Sequence, residues 1–147
     1  MPSVIIGADH AGYTLKESIK PLLEALGYNI TDAGPHNEAS VDYPDYGNQV
    51  AQAVASGNYD CGILICGTGL GMSMVANRYP EIRAALCNDL FSAIMSRRHN
   101  DANILVLGGR VIGITLAEEI VRAWATTPFD GGRHSDRLNK FCRCRDA

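Results

Sequence analysis

The chain has 147 residues, a net charge of −3 and 46% hydrophobic residues, a length that fits one domain able to bury roughly 68–70% of its unfolded surface unaided. The acidic balance argues against a nucleic-acid partner, and the five cysteines are an odd number whose spacing matches no disulfide framework. No secretory leader follows Met1 and no apolar run approaches membrane-spanning length, so a cytoplasmic protein with reduced thiols and no membrane partner is expected.

Ser3 to Ala8, SVIIGA, reads as a buried strand with Asp9-His10 at its end. Ala11 to Leu26 follows with Leu15, Ile19, Leu22, Leu23 and Leu26 at helical spacing and Gly27 as a C-terminal cap. Pro21 inside that pattern predicts a kink or a division. Tyr28 to Ala33 is a second strand and Gly34 to Val41 a polar loop. Asp42 to Ser56 makes a helix with Asp42 as cap, Pro44 in the first turn and Gly57 as the stop.

Cys61 to Cys66 is the kind of continuous apolar run that a strand shows when both its faces are buried. Gly67, Thr68, Gly69 and Gly71 follow at once, and Met72 to Asn77 runs on as a helix. Glycines let a ligand approach the main chain, and a helix start offers free N–H groups and the positive end of the dipole. Cys66 stands at the carboxyl end of its strand, where open α/β sheets place their ligands. A thiol facing a helix N-terminus is biased toward thiolate from its free value of about 8.5, which makes Cys66 a candidate base or nucleophile. GTGLG is neither the spaced GxGxxG of a dinucleotide site nor a phosphate loop ending in lysine.

Arg83 to Cys87 reads as a fourth strand, and Asp89 to Arg98 as a helix ending in His99-Asn100-Asp101. Asn103 to Leu107 is a fifth strand, Gly108-Gly109-Arg110 a turn, and Ile114 to Ala125 a helix with Leu116, Ile120 and Trp124 on one side. Thr126 to Gly132 breaks it, and a basic segment over residues 131–145 forms a last short helix. Strands alternating with helices along the whole length predict a single α/β domain of three layers, a parallel sheet covered on both faces. In such a sheet Asp9-His10, Cys66-Gly67-Thr68, Cys87-Asn88 and Leu107-Gly108 share one edge. His99, at the far end of a helix, falls on the opposite edge and can join them only through a partner chain or an unusual loop.

Five separated motifs, ADHAG (8–12), DYPDY (42–46), ICGTGLGMSMVANR (65–78), SRRHND (96–101) and GGRH (131–134), resemble the type B ribose-5-phosphate isomerases, a family that also holds galactose-6-phosphate and allose-6-phosphate isomerases. The resemblance implies a Rossmann-like five-stranded parallel sheet, a homodimer or tetramer whose active site is shared between subunits, and a phosphorylated sugar as substrate. It implies Cys66 as the base moving a proton between C1 and C2, and Thr68 as a polar partner at the reacting oxygens. The N–H groups of Gly67, Gly69, Leu70 and Gly71 would face the enediolate. His99 would be the acid that opens the furanose ring, with Asn100 and Arg110 completing the pocket from the neighbouring subunit. Asp9 and His10 would hold sugar hydroxyls and the ring, Tyr43 would line the site, and Arg133 with Arg137 would bind phosphate. Some relatives use a glutamate at the position of Met72 instead of the cysteine, and methionine cannot take a proton.

The chemistry fits these groups. Aldose–ketose isomerisation builds negative charge on an enediolate, so fixed donors aimed at that oxygen are the main requirement, worth roughly 3–4 kcal/mol each, and a positioned base adds about 10²–10⁴ in rate. No cofactor and no metal is expected. Arg133 and Arg137, four apart, share a helix face and can offer two planar forks to one dianion. His134 adjoins them as a further phosphate candidate, His36 sits in a polar loop with no role, and Tyr43 is equally a packing residue. Cys142 and Cys144 form a CxC without nearby histidines, a weak metal signal. The rival readings are isomerisation of another sugar phosphate (allose 6-phosphate, galactose 6-phosphate or a four-carbon ketose phosphate) and a non-catalytic sugar-phosphate-binding module.

Overall fold

A computed structural model of the chain describes residues 1–141. Its sheet is built from runs that are apolar on both faces: β1 (Ser3–Ala8) is buried from Val4 onward, and β3 (Cys61–Cys66) and β5 (Ile104–Gly108) are buried at every position. β2 (Asn29–Gly34) and β4 (Ala84–Leu86) are less buried and form the two edges. The order is β2-β1-β3-β5-β4, and every pairing is parallel. The expected five-stranded, three-layer α/β fold is therefore present, with β3 at its centre.

Alternation along the strands divides the core in two. Val4, Ile6, Ala8, Ile63, Ile65, Leu105 and Leu107 face one helical layer, made of α1 (Tyr13–Ala25), α4 (Leu90–Arg98) and α5 (Ile114–Thr126). Ile5, Leu64, Cys66, Ile104 and Val106 face the other, made of α2 (Tyr43–Ala55) and α3 (Leu70–Ala76). Right-handed crossovers dictate this division. The chain steps from β1 to β2 in one direction, returns past β1 to β3 and on to β4, then steps back to β5. Each reversal of direction changes the face on which the connecting helix lies. β1 and β3 are thus neighbours whose following helices leave on opposite faces, and the crevice at their carboxyl ends is the switch point of the sheet.

Local signals explain most element ends. Gly27 has φ 91, the Tyr28 N–H donates to Leu23 O at 3.0 Å and the Gly27 N–H to Glu24 O at 3.0 Å, the paired bonds that satisfy the last carbonyls of a helix. Asp89 caps α4 by accepting the Ser92 N–H at 2.7 Å.

Several expectations are corrected. α1 runs undivided through Pro21, because that residue is exposed and the Glu17 carbonyl it leaves unpaired can bond water. Asp42 occupies the N-cap of α2, but its side chain makes no capping bond. α3 begins at Leu70, two residues before the expected start, because Gly69 in the left-handed region already turns the chain into the helix. On α5 the buried stripe is Ala117, Ile120, Val121 and Trp124, while Leu116 is exposed. The last described helix, α6, covers Arg133–Leu138; Cys142, Arg143, Cys144 and Arg145 lie outside the described residues. No helix among the described residues is long and apolar enough to cross a membrane.

Candidate active site

Three connections meet at the switch point and are tied by main-chain bonds. The Asp9 N–H donates to Ile65 O at 3.1 Å, the Gly109 N–H to Cys66 O at 2.8 Å and the Arg110 N–H to Gly67 O at 2.9 Å. Asn88, just past β4, bridges two of them: its Oδ1 accepts the Gly108 N–H at 2.9 Å and its Nδ2 donates to Thr68 O at 3.4 Å. The carbonyls of residues 66–68 are therefore engaged below the turn. The first-turn amides of α3 have no acceptor within the helix, as at any helix start, and they lie beyond it.

Two glycines are dictated by this geometry. Gly69 has φ 83, a conformation that costs an L residue roughly 1–2 kcal/mol. At Gly71 a Cβ would collide with the Tyr43 ring, its hydroxyl oxygen lying 2.6 Å away. The phenol of Tyr43, at the first position of α2, thus rests directly on the first turn of α3.

Cys66 ends β3 with 5% of its surface exposed, in the core cluster that includes Val50, Met72 and Val106. Burial pushes the Cys61 thiol up to about 12 and the Cys87 thiol up to about 11, so neither of these can serve as a base near neutrality. Thr68 Oγ1 accepts the Leu70 N–H at 3.1 Å. The Leu70 amide, expected to face an enediolate, is therefore already engaged, and the Thr68 hydroxyl proton is left to be donated elsewhere.

Asp9 is 7% exposed, and its Oδ1 accepts the Gly12 N–H at 3.0 Å, so one carboxylate oxygen holds its own turn. His10 Nδ1 accepts the Val41 N–H at 3.2 Å, which puts the proton of a neutral ring on Nε2. Arg110 departs from expectation. Its Nη1 lies 3.6 Å from the position a Gly67 Cβ would take, so it joins the turn of its own chain rather than arriving from a neighbouring one. The connection from β5 to α5 runs beside the Cys66 turn and carries it there.

His99, Asn100, Arg133 and Arg137 lie elsewhere. α4 begins at the carboxyl edge and its nine residues carry the chain about 13 Å, so His99 at its C-cap sits at the opposite edge. The following strand begins there, Ile104 pairing with Gly62 and Ala84. The segment before α6 is strapped to the same place: the Asp130 N–H donates to Arg98 O at 3.0 Å, and Arg98 Nε donates to Asp130 Oδ2 at 3.1 Å. The rings of His99 and His134 consequently stack, centroids 4.2 Å apart and planes 12° from parallel. Arg133 and Arg137 are exposed on the same short helix. One chain thus holds two separate groups, Asp9, His10, Tyr43, Cys66–Gly71 and Arg110 at one edge and His99, Asn100, Arg133 and Arg137 at the other.

His99, Asp130 and His134 bring their donor atoms within 4.8 Å of one another. The in-plane lone pairs of two nearly parallel rings run side by side and do not converge, and Asp130 is held by Arg98, so the trio is not arranged as a metal cage. Asn88 and Asp130 were not singled out as site residues. Asn88 had only its place beside Cys87 at the carboxyl edge as a signal, and Asp130 had none.

Residues 4–141 match the family model described as Ribose/Galactose Isomerase. The chain is 46% identical over 138 residues to ribose-5-phosphate isomerase B of Escherichia coli, covering 94% of this chain and 93% of that one. It is 43% identical over 143 residues to the D-erythrulose-4-phosphate isomerase of Pectobacterium atrosepticum, with 96% and 93% covered. The structure superposes on ribose-5-phosphate isomerase B of Clostridium thermocellum with a TM-score of 0.94 at 52% identity, over 98% of this chain and 97% of that one. A glycine turn at the switch point, the polar groups gathered around it and this match along nearly the whole length lead to one assignment: the chain belongs to the ribose/galactose isomerase family and is a sugar-phosphate isomerase.

Proposed function

We propose that the chain interconverts D-ribose 5-phosphate and D-ribulose 5-phosphate through an enediolate, in a site shared by two copies of itself. The observation that carries this reading is Cys66 placed immediately ahead of the Gly67–Gly71 turn and the N-terminus of α3. His99 of the second copy protonates the ring oxygen as the furanose opens, and the C1 hydroxyl proton leaves to form the aldehyde. The Cys66 thiolate then removes the C2 proton, and the electron pair moves through C1–C2 onto the C1 oxygen. Thr68 and the turn amides stabilise that oxygen by donation. The thiol returns its proton to C1, the O2 proton passes to O1 so that the C1 alkoxide becomes the hydroxyl, and the C2 carbonyl forms. Arg133 and Arg137 of the second copy hold the dianionic phosphate, while Asp9, His10 and Arg110 of the first line the sugar.

Sharing between copies is supported by the two half-sites on opposite edges, and by the surface around the turn. Leu70, Met74, Phe91, Val111 and Ile114, on the elements that follow the turn and its neighbouring strands, are all exposed, and apolar side chains of this size left in water suit a surface that another copy covers. Two concavities among the described residues, about 630 Å³ around Tyr79 and Arg83 and about 360 Å³ around Tyr28 and Arg97, do not include Cys66 in their lining, and the first reaches Asn100.

The erythrulose-4-phosphate isomerase among the relatives favours a four-carbon ketose phosphate as the second reading. A panel of ribose 5-, allose 6-, galactose 6- and erythrulose 4-phosphate separates them. The proposal expects the highest kcat/KM for ribose 5-phosphate; a tenfold preference for any other member would replace it.

A further inference from the structure

Resting on the reading of His99 as the ring-opening acid, we propose that His134 is its positioning residue, a ring whose stack on His99 sets the plane in which the acid meets the sugar ring oxygen. His99 is a C-cap residue at the end of α4, and a histidine ring turns easily about its side-chain bonds. Its ring lies flat against His134, 4.2 Å between centroids and 12° between planes.

His134 is in turn held by its own backbone. Its N–H donates to Gly131 O at 3.1 Å, and Asp130, one residue before that glycine, is clamped to α4 by the paired Arg98–Asp130 bonds at 3.0 and 3.1 Å. A ring carried by one element thus braces a ring carried by another, through a connection anchored at both ends.

The surrounding charges suit this division of labour. His99 faces His134 from the C-cap of α4, Asp130, itself bonded by Arg98, from the preceding loop, and Arg133 and Arg137 from its own helix. Burial, then His99, Arg133 and Arg137, hold the His134 imidazole below its ordinary value, with Asp130 opposing them. Two stacked imidazoles do not both carry a proton readily, and the lowering at His134 makes it the ring less suited to donate.

The alternative role for His134 is phosphate binding beside Arg133, and the reaction itself separates the two. Ribulose 5-phosphate carries the same phosphate but has its O5 esterified and cannot close to a furanose, so exchange of its C1 hydrogen with solvent deuterium needs Cys66 chemistry and no ring opening. His134→Ala is expected to lower kcat for ribose 5-phosphate about tenfold while changing C1 exchange less than about twofold, and His134→Phe, which keeps the stack, to restore kcat to within about threefold of the parent. Equal losses in both assays, no loss in either, or no recovery with phenylalanine would overturn the proposal. His99→Ala is measured beside them. If it too loses both activities equally, the ring-opening reading itself fails, whereas a selective His99→Ala with an unselective His134→Ala rejects only the positioning role.

Discussion

Arg98 binds Asp130 twice, through its carbonyl to the Asp130 N–H at 3.0 Å and through Nε to the carboxylate at 3.1 Å. The pair joins the end of α4 to the loop before α6, and so brings Arg133 and His134 beside His99. Both side chains are substantially exposed, where an ion pair contributes little to folding, about 0–1 kcal/mol. Its importance is positional.

Asp130→Ala therefore separates stability from function. The melting temperature should move by no more than about 3 °C, while KM for the sugar phosphate rises about three- to tenfold as the arginine helix loses its anchor. Kinetics and calorimetry on the same preparation check this. An unchanged KM would show that α6 is positioned without the pair.

The sharing of sites between chains has a direct mixing test. Cys66→Ala and His99→Ala are each expected to be nearly inactive on ribose 5-phosphate. Unfolded and refolded together in equal amounts, they should recover about one quarter of the parent activity, because half of randomly paired dimers are hybrids and each hybrid rebuilds one complete site of two. Activity that stays at the level of the separate variants would place the whole site within one chain.

Acid stability should depend on a cluster remote from the reaction. Lys16 is fully buried, its Nζ 2.7 Å from Asp32 and 3.0 Å from Glu17. Burial alone would raise the Asp32 carboxyl, but hydrogen bonds from Lys16, Lys20 and the Gly34 N–H outweigh it and hold the group below its ordinary 3.8. A lowered folded value means stability that is intact above the unfolded value and lost as pH falls through the folded one. Asp32→Ala should cost about 3 kcal/mol at pH 7 and flatten the loss of stability that the parent shows below about pH 4. Denaturant titrations at pH 7 and pH 3 test it; a variant as acid-sensitive as the parent would remove Asp32 from the account.

Much of this fold is legible in the residues themselves. CGILIC and ILVLG announce central strands because burial on both faces leaves no polar alternation, and Gly27 and Gly57 mark helix ends because only glycine sits easily at φ 91 and φ 82. The placement of β5 between β3 and β4 is not legible, since hydrophobic runs record burial and not neighbours. Within the site, the cysteine, its glycine turn and the opposite-edge position of His99 follow from strand and helix directions alone. The proximity of Arg110 to Gly67 of its own chain is not legible, since it depends on two connections packed side by side. The His99–His134 stack was out of reach for the same reason, resting on a loop bond between residues 98 and 130.

The central claim is that the Cys66 sulfur carries the proton between C1 and C2. It is tested most directly by the rate at which Cys66→Ala exchanges the C1 hydrogen of ribulose 5-phosphate with solvent deuterium, a step that bypasses ring opening. The account predicts a fall of about 10²–10⁴ in a protein that keeps its parent circular dichroism and sugar-phosphate binding. Exchange at the parent rate in that variant would contradict it.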